Sequence, residues 1–130
     1  YSNQYNILTR LKSGKAKIIN KKNHFFSRIH VEDIANILSN SLNHFKKNEV
    51  YNISDDKPAP AEEVTMYGVK LLGVNKPKTI EINEIDSEML RGFYKDSKKV
   101  NNKKMKEVFN YKLKYPTYVE GLNYIFNNSI

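Results

Sequence analysis

The stretch VEDIANILSNSLNHF (31–45) constrains this chain most. Val31, Ile34, Ala35, Leu38, Leu42 and Phe45 recur at i, i+3/i+4 spacing, with Glu32 and Asp33 in the positive first turn, which predicts a helix over 31–45. It is entered directly from FFSRIHV (25–31), which reads as a strand, and followed by EVYNISD (49–55), another strand with Val50 and Ile53 apolar. Strand–helix–strand alternation means an α/β chain. The flanks agree. Residues 4–13 predict a short helix, with Ile7, Leu8 and Leu11 on one face and Gly14 at the C′ position. AKIIN (16–20) reads as a strand, KKNH (21–24) as a turn and DKPAP (56–60) as a Pro-rich turn. A helix over 61–72 ends at Gly73, KTIEI (78–82) alternates as a strand, and short helices are expected over 86–94 and 101–109. Thr117 and Glu120 form a T-x-x-E capping box that opens a last helix.

A chain of 130 residues makes one domain or a piece of one, and its 39% hydrophobic share is thin beside the roughly 45–50% usual in globular chains. No cysteine means no disulfide and no thiolate metal site, which points to a reducing, cytoplasmic setting. No apolar run approaches the ~18 residues of a membrane span. A start on Tyr1 rather than Met suits a fragment. Net charge is +8, yet the lysines are scattered and only Arg10, Arg28 and Arg91 are arginines. Specific nucleic-acid readers favour Arg, so a compositional Lys/Asn bias explains the charge and no nucleic-acid partner is expected. A small basic nucleic-acid-binding module stays open as the alternative.

The five glycines fit no phosphate-binding loop, and His24, His30 and His44 lack metal-ligand spacing, so no metal site is expected. His24 falls in a turn and His44 on a polar helix face, both as surface residues. Tyr94-x-x-x-Lys98 matches a known acid–base signature, but about one such match is expected by chance in a chain this rich in Tyr and Lys. It reads as a coincidence at a helix end.

FSRIHVEDIANIL (26–38) resembles the strand-into-helix element of extended and atypical short-chain dehydrogenases/reductases, the NAD-dependent epimerase/dehydratase-like family. Four more stretches fall in family order: YSN (1–3), VYNISDDKPAPAEEV (50–64), LLGVNKP (71–77) and KKMKEVFNYKLKYPTYVEGL (103–122). Together they cover nearly the whole chain. The resemblance implies an α/β fold: a C-terminal substrate-binding lobe plus edge elements of a Rossmann-type dehydrogenase, with the nucleotide-binding half absent. Residues 1–130 are then a single partial domain, with 50–54 a strand of the missing sheet. The family's catalytic Tyr/Lys pair and cofactor loop lie upstream of this chain, so no catalytic residue is expected within it. NAD or NADP belongs to the full-length enzyme and none to this chain alone, which is expected to be inactive. Its partners are a small-molecule substrate, possibly anionic, and the missing Rossmann half; no membrane is involved, and the full-length enzyme forms a homodimer. Two departures stand against a sugar-nucleotide substrate. The first loop continues Ser2-Asn3-Gln4-Tyr5 where Gly-Pro-Gly-Arg is common, and Phe26 replaces a phosphate-gripping Arg.

Candidate substrate-binding residues are Arg28, Arg91, Tyr94 and His30, with Tyr1 on the cofactor side. Arg28 alternates with Ile29 and so points away from the apolar side, as an anion clamp or as a surface ion pair with Glu32 or Asp33. Arg91 lies where relatives place a second substrate-contacting Arg. Both are expected to face one cleft, with Tyr94 near its mouth. His30 reads foremost as a structural residue at the strand–helix corner, and Asp33 as a plain first-turn carboxylate. A non-catalytic scaffold of the same fold is the remaining alternative.

Overall fold

The computed structural model describes residues 1–44 and 46–129, and its first helix starts where a cap dictates. Asn6 Oδ1 accepts from the backbone N–H groups of Leu8 (2.8 Å) and Thr9 (3.1 Å), so α1 is Ile7–Lys12 rather than a helix from residue 4. A cap of this kind is worth about 1 kcal/mol. The chain continues through β1 (Ile18–Ile19), α2 (Val31–His44), α3 (Ala61–Leu72), β2 (Thr79–Ile80) and a 3₁₀ turn at Ile82–Glu84. It ends with α4 (Glu88–Phe93), α5 (Lys103–Val108) and α6 (Tyr118–Ser129). Gly73 closes α3 at φ 64°, the left-handed position glycine takes without strain. The capping box opens α6: Thr117 Oγ1 accepts from Val119 N–H at 3.1 Å, and Glu120 Oε2 accepts from Thr117 N–H at 3.0 Å.

β1 and β2 pair in parallel, Ile18 opposite Thr79 and Ile19 opposite Ile80. A parallel pair needs a crossover, and here it carries α2 and α3. The fold is thus a small α/β arrangement with a two-stranded parallel sheet. Three apolar clusters hold it. Leu8, Ala59, Val64, Tyr118, Leu122 and Ile125 join α1, α3 and α6. Ile37, Met105, Phe109 and Leu113 join α2 to α5 and the segment after it. Ile80, Ile85 and Tyr94 join β2 to α4. Gly68 lets α1 approach α3, because a Cβ there would meet Leu11 Cδ1 at 2.8 Å.

Two expectations are corrected, and one segment lacks a ladder among the described residues. Residues 25–31 form no regular strand but a single antiparallel bridge, Phe26 to Ala59; beyond it the backbone carbonyl of Arg28 accepts from Asp55 N–H at 2.6 Å. Residues 50–54 form no ladder with any described residue, and Val50 is 81% exposed. The carbonyls at its two ends accept instead from Lys104 Nζ (3.0 Å, Val50) and Asn102 Nδ2 (2.9 Å, Ser54), and a place in a sheet outside these residues belongs to the proposal below.

The second correction concerns α2. The helix forms as its period predicts, but the apolar stripe lies outside: Val31 is 45% exposed, Leu38 56% and Leu42 76%. Phe45 lies outside the described residues. The buried face carries Asp33, Ile37 and Asn40 at i, i+4, i+7. Asp33 Oδ1 accepts from the Tyr111 hydroxyl (2.8 Å) and Lys114 N–H (2.8 Å), and its Oδ2 from Tyr115 N–H (3.0 Å). Asn40 Nδ2 donates to the Phe109 carbonyl at 2.8 Å. These bonds set the rotation of α2, and the stripe is turned out.

Candidate ligand cavity

An open cavity of about 1000 Å³ lies between α1 and α4, over the sheet and the first turn of α3. Its deepest apolar surface comes from Val64, Ile80, Ile85 and Tyr94, each no more than 8% exposed. Arg10, Lys15, Lys17 and Arg28 bring positive charge, and Glu84 and Asp86 bring negative charge. None of the four cations forms an ion pair with a carboxylate among the described residues. In the low-dielectric walls of a cleft, such unpaired charge attracts an anion.

Arg28 is half-buried, and its Nη1 donates to the carbonyls of Phe26 (2.9 Å) and Ala59 (2.7 Å), clamping the bridge that replaces the expected strand. Burial pulls its pKa down, with Asp55 the chief opposing influence. It pairs with neither Glu32 nor Asp33. Glu32 instead binds Lys114 at 2.6 Å. Arg28 has no side-chain bond through Nη2 or Nε among the described residues, and it lines the cavity.

Arg91 does not join it. Its Nη1 donates to the Ile85 carbonyl at 2.6 Å, and it lines a second cavity of about 330 Å³ with Lys21, Ile82, Glu88 and Lys95. Tyr94 lines both, so the expected single cleft is two cavities with Tyr94 between them. The reason is local. Arg91 stands in the last turn of a six-residue helix whose Leu90 faces the larger cavity, and its neighbour one step on faces the other way. Tyr94 is packed against Phe26 (5.3 Å) and His24 (5.1 Å), and burial raises its pKa while Arg28 opposes the rise.

His30 is wholly buried at the start of α2. Its Nδ1 accepts from Glu32 N–H at 3.2 Å, and its ring packs on Tyr115 at 4.2 Å and Tyr1 at 5.2 Å. Burial lowers its pKa, so the neutral ring acts as a helix cap. Tyr1 lies outside the cavity lining: its backbone nitrogen donates to the Ile29 carbonyl (2.9 Å), and its hydroxyl approaches α6 at the Thr117 carbonyl (3.5 Å). His44 is exposed, as expected, but His24 is not. The turn at Asn23 (φ 55°) folds the His24 ring under Phe26 and Tyr94, leaving it 3% exposed with its pKa lowered, first by burial and then by Lys21.

Sequence reasoning missed two kinds of residue. Arg10, Lys15 and Lys17 line the cavity, and neither strand alternation nor a place in the family pattern, the arguments for Arg28 and Arg91, pointed to them. Asp55 is 1% exposed; its Oδ1 accepts from Lys57 N–H at 3.0 Å, its Oδ2 has no partner, and burial pushes its pKa up to about 6. Nothing in DD (55–56) distinguishes that buried carboxylate from its exposed neighbour. Among the described residues, no three His, Asp or Glu side chains converge as a metal cradle, and no helix is long and apolar enough to cross a membrane.

No protein-family model matches the chain, and no curated protein matches it. Solved structures do. A functionally unknown conserved protein from Silicibacter pomeroyi DSS is 35% identical with a TM-score of 0.91, over 99% of this chain and 46% of that one. dTDP-glucose 4,6-dehydratase from Bacillus anthracis, solved in complex with NAD, is 24% identical with a TM-score of 0.71, over 93% of this chain and 36% of that one. Human epimerase family protein SDR39U1 (isoform 2), solved with NADPH, is 21% identical with a TM-score of 0.74, over 94% and 42%. The chain therefore has the fold of part of each of these three proteins and spans less than half the length of each.

Proposed function

We propose that these residues are the substrate-binding lobe of a larger NAD(P)-dependent enzyme of the epimerase/dehydratase type, and that the cavity beside Arg28 receives an anionic small molecule. The observation that carries this reading is coverage: over nine-tenths of the chain superposes on less than half of two chains solved with NAD and NADPH. The described residues do not themselves make a dinucleotide cradle. Gly14 and Gly73 follow α1 and α3 instead of opening a helix, and Gly121 is covered by the Tyr1 ring. In this reading the nucleotide and the acid–base pair belong to the remainder of the protein, and this lobe supplies the cationic, apolar-floored surface that closes on substrate. The outward stripe of Val31, Leu38 and Leu42, together with exposed Val50, supports a partner surface on that remainder, since these large apolar side chains would otherwise stand in water.

Titration with NADH and NADPH tests the reading. The full-length protein should bind one of them with a Kd of roughly micromolar order, about 8 kcal/mol, while the 130-residue chain alone binds neither. Micromolar binding to the 130-residue chain, or none to the full-length protein, overturns it.

A further inference from the structure

We infer that Asp55 is a positioning residue of the large cavity: it acts through Arg28, and its charge sets how strongly that guanidinium holds an anion. Anionic ligands therefore bind more tightly when Asp55 is protonated. The inference rests on the proposed reading of the cavity as an anion site and adds its regulation.

Asp55 is buried and joined to Arg28 through the backbone, its N–H donating to the Arg28 carbonyl at 2.6 Å. Its Oδ1 accepts from Lys57 N–H at 3.0 Å, and its Oδ2 is buried without a partner. The other titratable groups that act on it are committed elsewhere. On its own segment, Asp56 pairs with Lys106 at 2.7 Å and accepts from Asn102 Nδ2 at 2.7 Å, and the Lys57 ammonium pairs with Glu63 at 2.8 Å. From α2, Asp33 accepts its three hydrogen bonds. From the first residues, the Tyr1 hydroxyl approaches the Thr117 carbonyl and the Tyr1 nitrogen donates to the Ile29 carbonyl. Arg28 differs from all of these. Its Nη1 bonds two carbonyls, its Nη2 and Nε have no partner among the described residues, and its side chain lines the cavity. Across a low-dielectric interior the two charges act on each other without touching. An ionised Asp55 offsets part of the charge that Arg28 presents to the cavity, and a protonated Asp55 leaves it whole. By linkage, an anion seated at Arg28 makes Asp55 harder to ionise, and protonation of Asp55 strengthens the anion by the same factor. Burial already lifts the Asp55 pKa from 3.8 to about 6, against the Lys57 N–H and Arg28. Affinity for an anion therefore rises as pH falls through that value and is lost above it.

The test titrates full-length protein with sodium sulfate by calorimetry at low ionic strength, at about pH 5 and about pH 8. Sulfate keeps its charge across that range, so its own titration does not enter. NADH and NADPH are present in excess to fill any pyrophosphate site, and their binding is measured on the same sample. Wild type should bind sulfate about five- to tenfold more tightly at the lower pH, the effect of raising the Asp55 pKa by about one unit on binding. Asp55→Asn, the uncharged isostere, should hold the tighter affinity at both pH values and change by less than about twofold. His24 and His30 are common to both proteins and cancel in the comparison. A merely structural Asp55 would move the melting temperature and leave this pH profile alone. Arg28→Gln should weaken sulfate about tenfold at the lower pH. Because Arg28 also clamps a backbone bridge, Lys17→Gln provides a second charge change in the lining, expected to weaken sulfate about two- to fivefold with the melting temperature unchanged. The same pH profile in wild type and Asp55→Asn overturns the inference. If Arg28→Gln or Lys17→Gln still weakens sulfate in that case, the anion site stands. If neither does, or if sulfate binds at neither pH, the anionic reading of the cavity falls with the inference, and nucleotide binding decides the enzyme reading separately.

Discussion

Asp33 and Asp55 are both buried carboxylates, and their surroundings give them opposite consequences. Asp33 accepts three hydrogen bonds, two of them from the backbone of the segment that follows α5. In Asp33→Asn, an amide N–H₂ would face a backbone donor, so the variant should lose about 2–4 kcal/mol in denaturant unfolding. A loss under ~0.5 kcal/mol would mean that these bonds do not hold α2 in place. Asp55 has one partner and one orphaned oxygen, and its pKa rises from 3.8 to about 6. The folded state therefore holds a proton that the unfolded chain has released, and the stability present below pH 3.8 is lost as pH rises through 6. Asp55→Asn removes that slope. The variant should gain roughly 1–3 kcal/mol on the wild type between pH 4 and pH 7, and parallel stability curves would contradict the assignment. His24 and His30 act in the other sense. Burial lowers both pKa values from 6.5, so the stability they carry at neutral pH is lost as pH falls below it.

The docking of α6 depends on Gly121, where an added Cβ would lie 2.0 Å from the Tyr1 hydroxyl oxygen and 2.8 Å from two ring carbons. Alanine in a helix interior is otherwise better than glycine by about 1 kcal/mol. Gly121→Ala should therefore destabilise the chain by ~1–2 kcal/mol with Tyr1 present, and stabilise it in a Tyr1→Ala background. The sign reversal in a double-mutant cycle is the readout; the same sign in both backgrounds would put Tyr1 elsewhere. Elements of this kind were the part legible in the sequence. Helix periods, the Gly73 stop and the Thr117–Glu120 box named α2 and α3 with their termini, and the start of α6, to within a residue or so, because those signals are local. The face that α2 buries was not legible, since it is set by Asp33 reaching residues 81 and 82 positions away. The strand at 25–31 failed for the same reason, its pairing being decided by Ala59 and by the Arg28 clamp. Of the candidate site, Arg28 and Tyr94 reach the large cavity, whereas Arg91 does not. A six-residue helix at residues 88–93 turns consecutive side chains into different cavities, and only its placement shows which.

At the scale of the molecule, the thin apolar share and the outward stripe of α2 are what the proposed reading expects of residues that pack on a larger body. The apolar side chains are not lacking in α2; Ile37 is buried against α5, while Val31, Leu38 and Leu42 face outward. Val50 is exposed as well, on a segment with the alternation of a strand and no partner strand among the described residues. Burying each of these aliphatic side chains against the rest of the protein would contribute ~1–2 kcal/mol, enough for the face to act as an interdomain contact. Side-chain footprinting tests this most directly, with a photogenerated carbene applied in parallel to the full-length protein and to the 130-residue chain. The account predicts that Leu38, Leu42 and Val50 are labelled heavily in the short chain and protected at least fivefold in the full-length protein, while Tyr5, on the cavity rim, labels in both. Equal labelling of Leu38, Leu42 and Val50 in the two would contradict it.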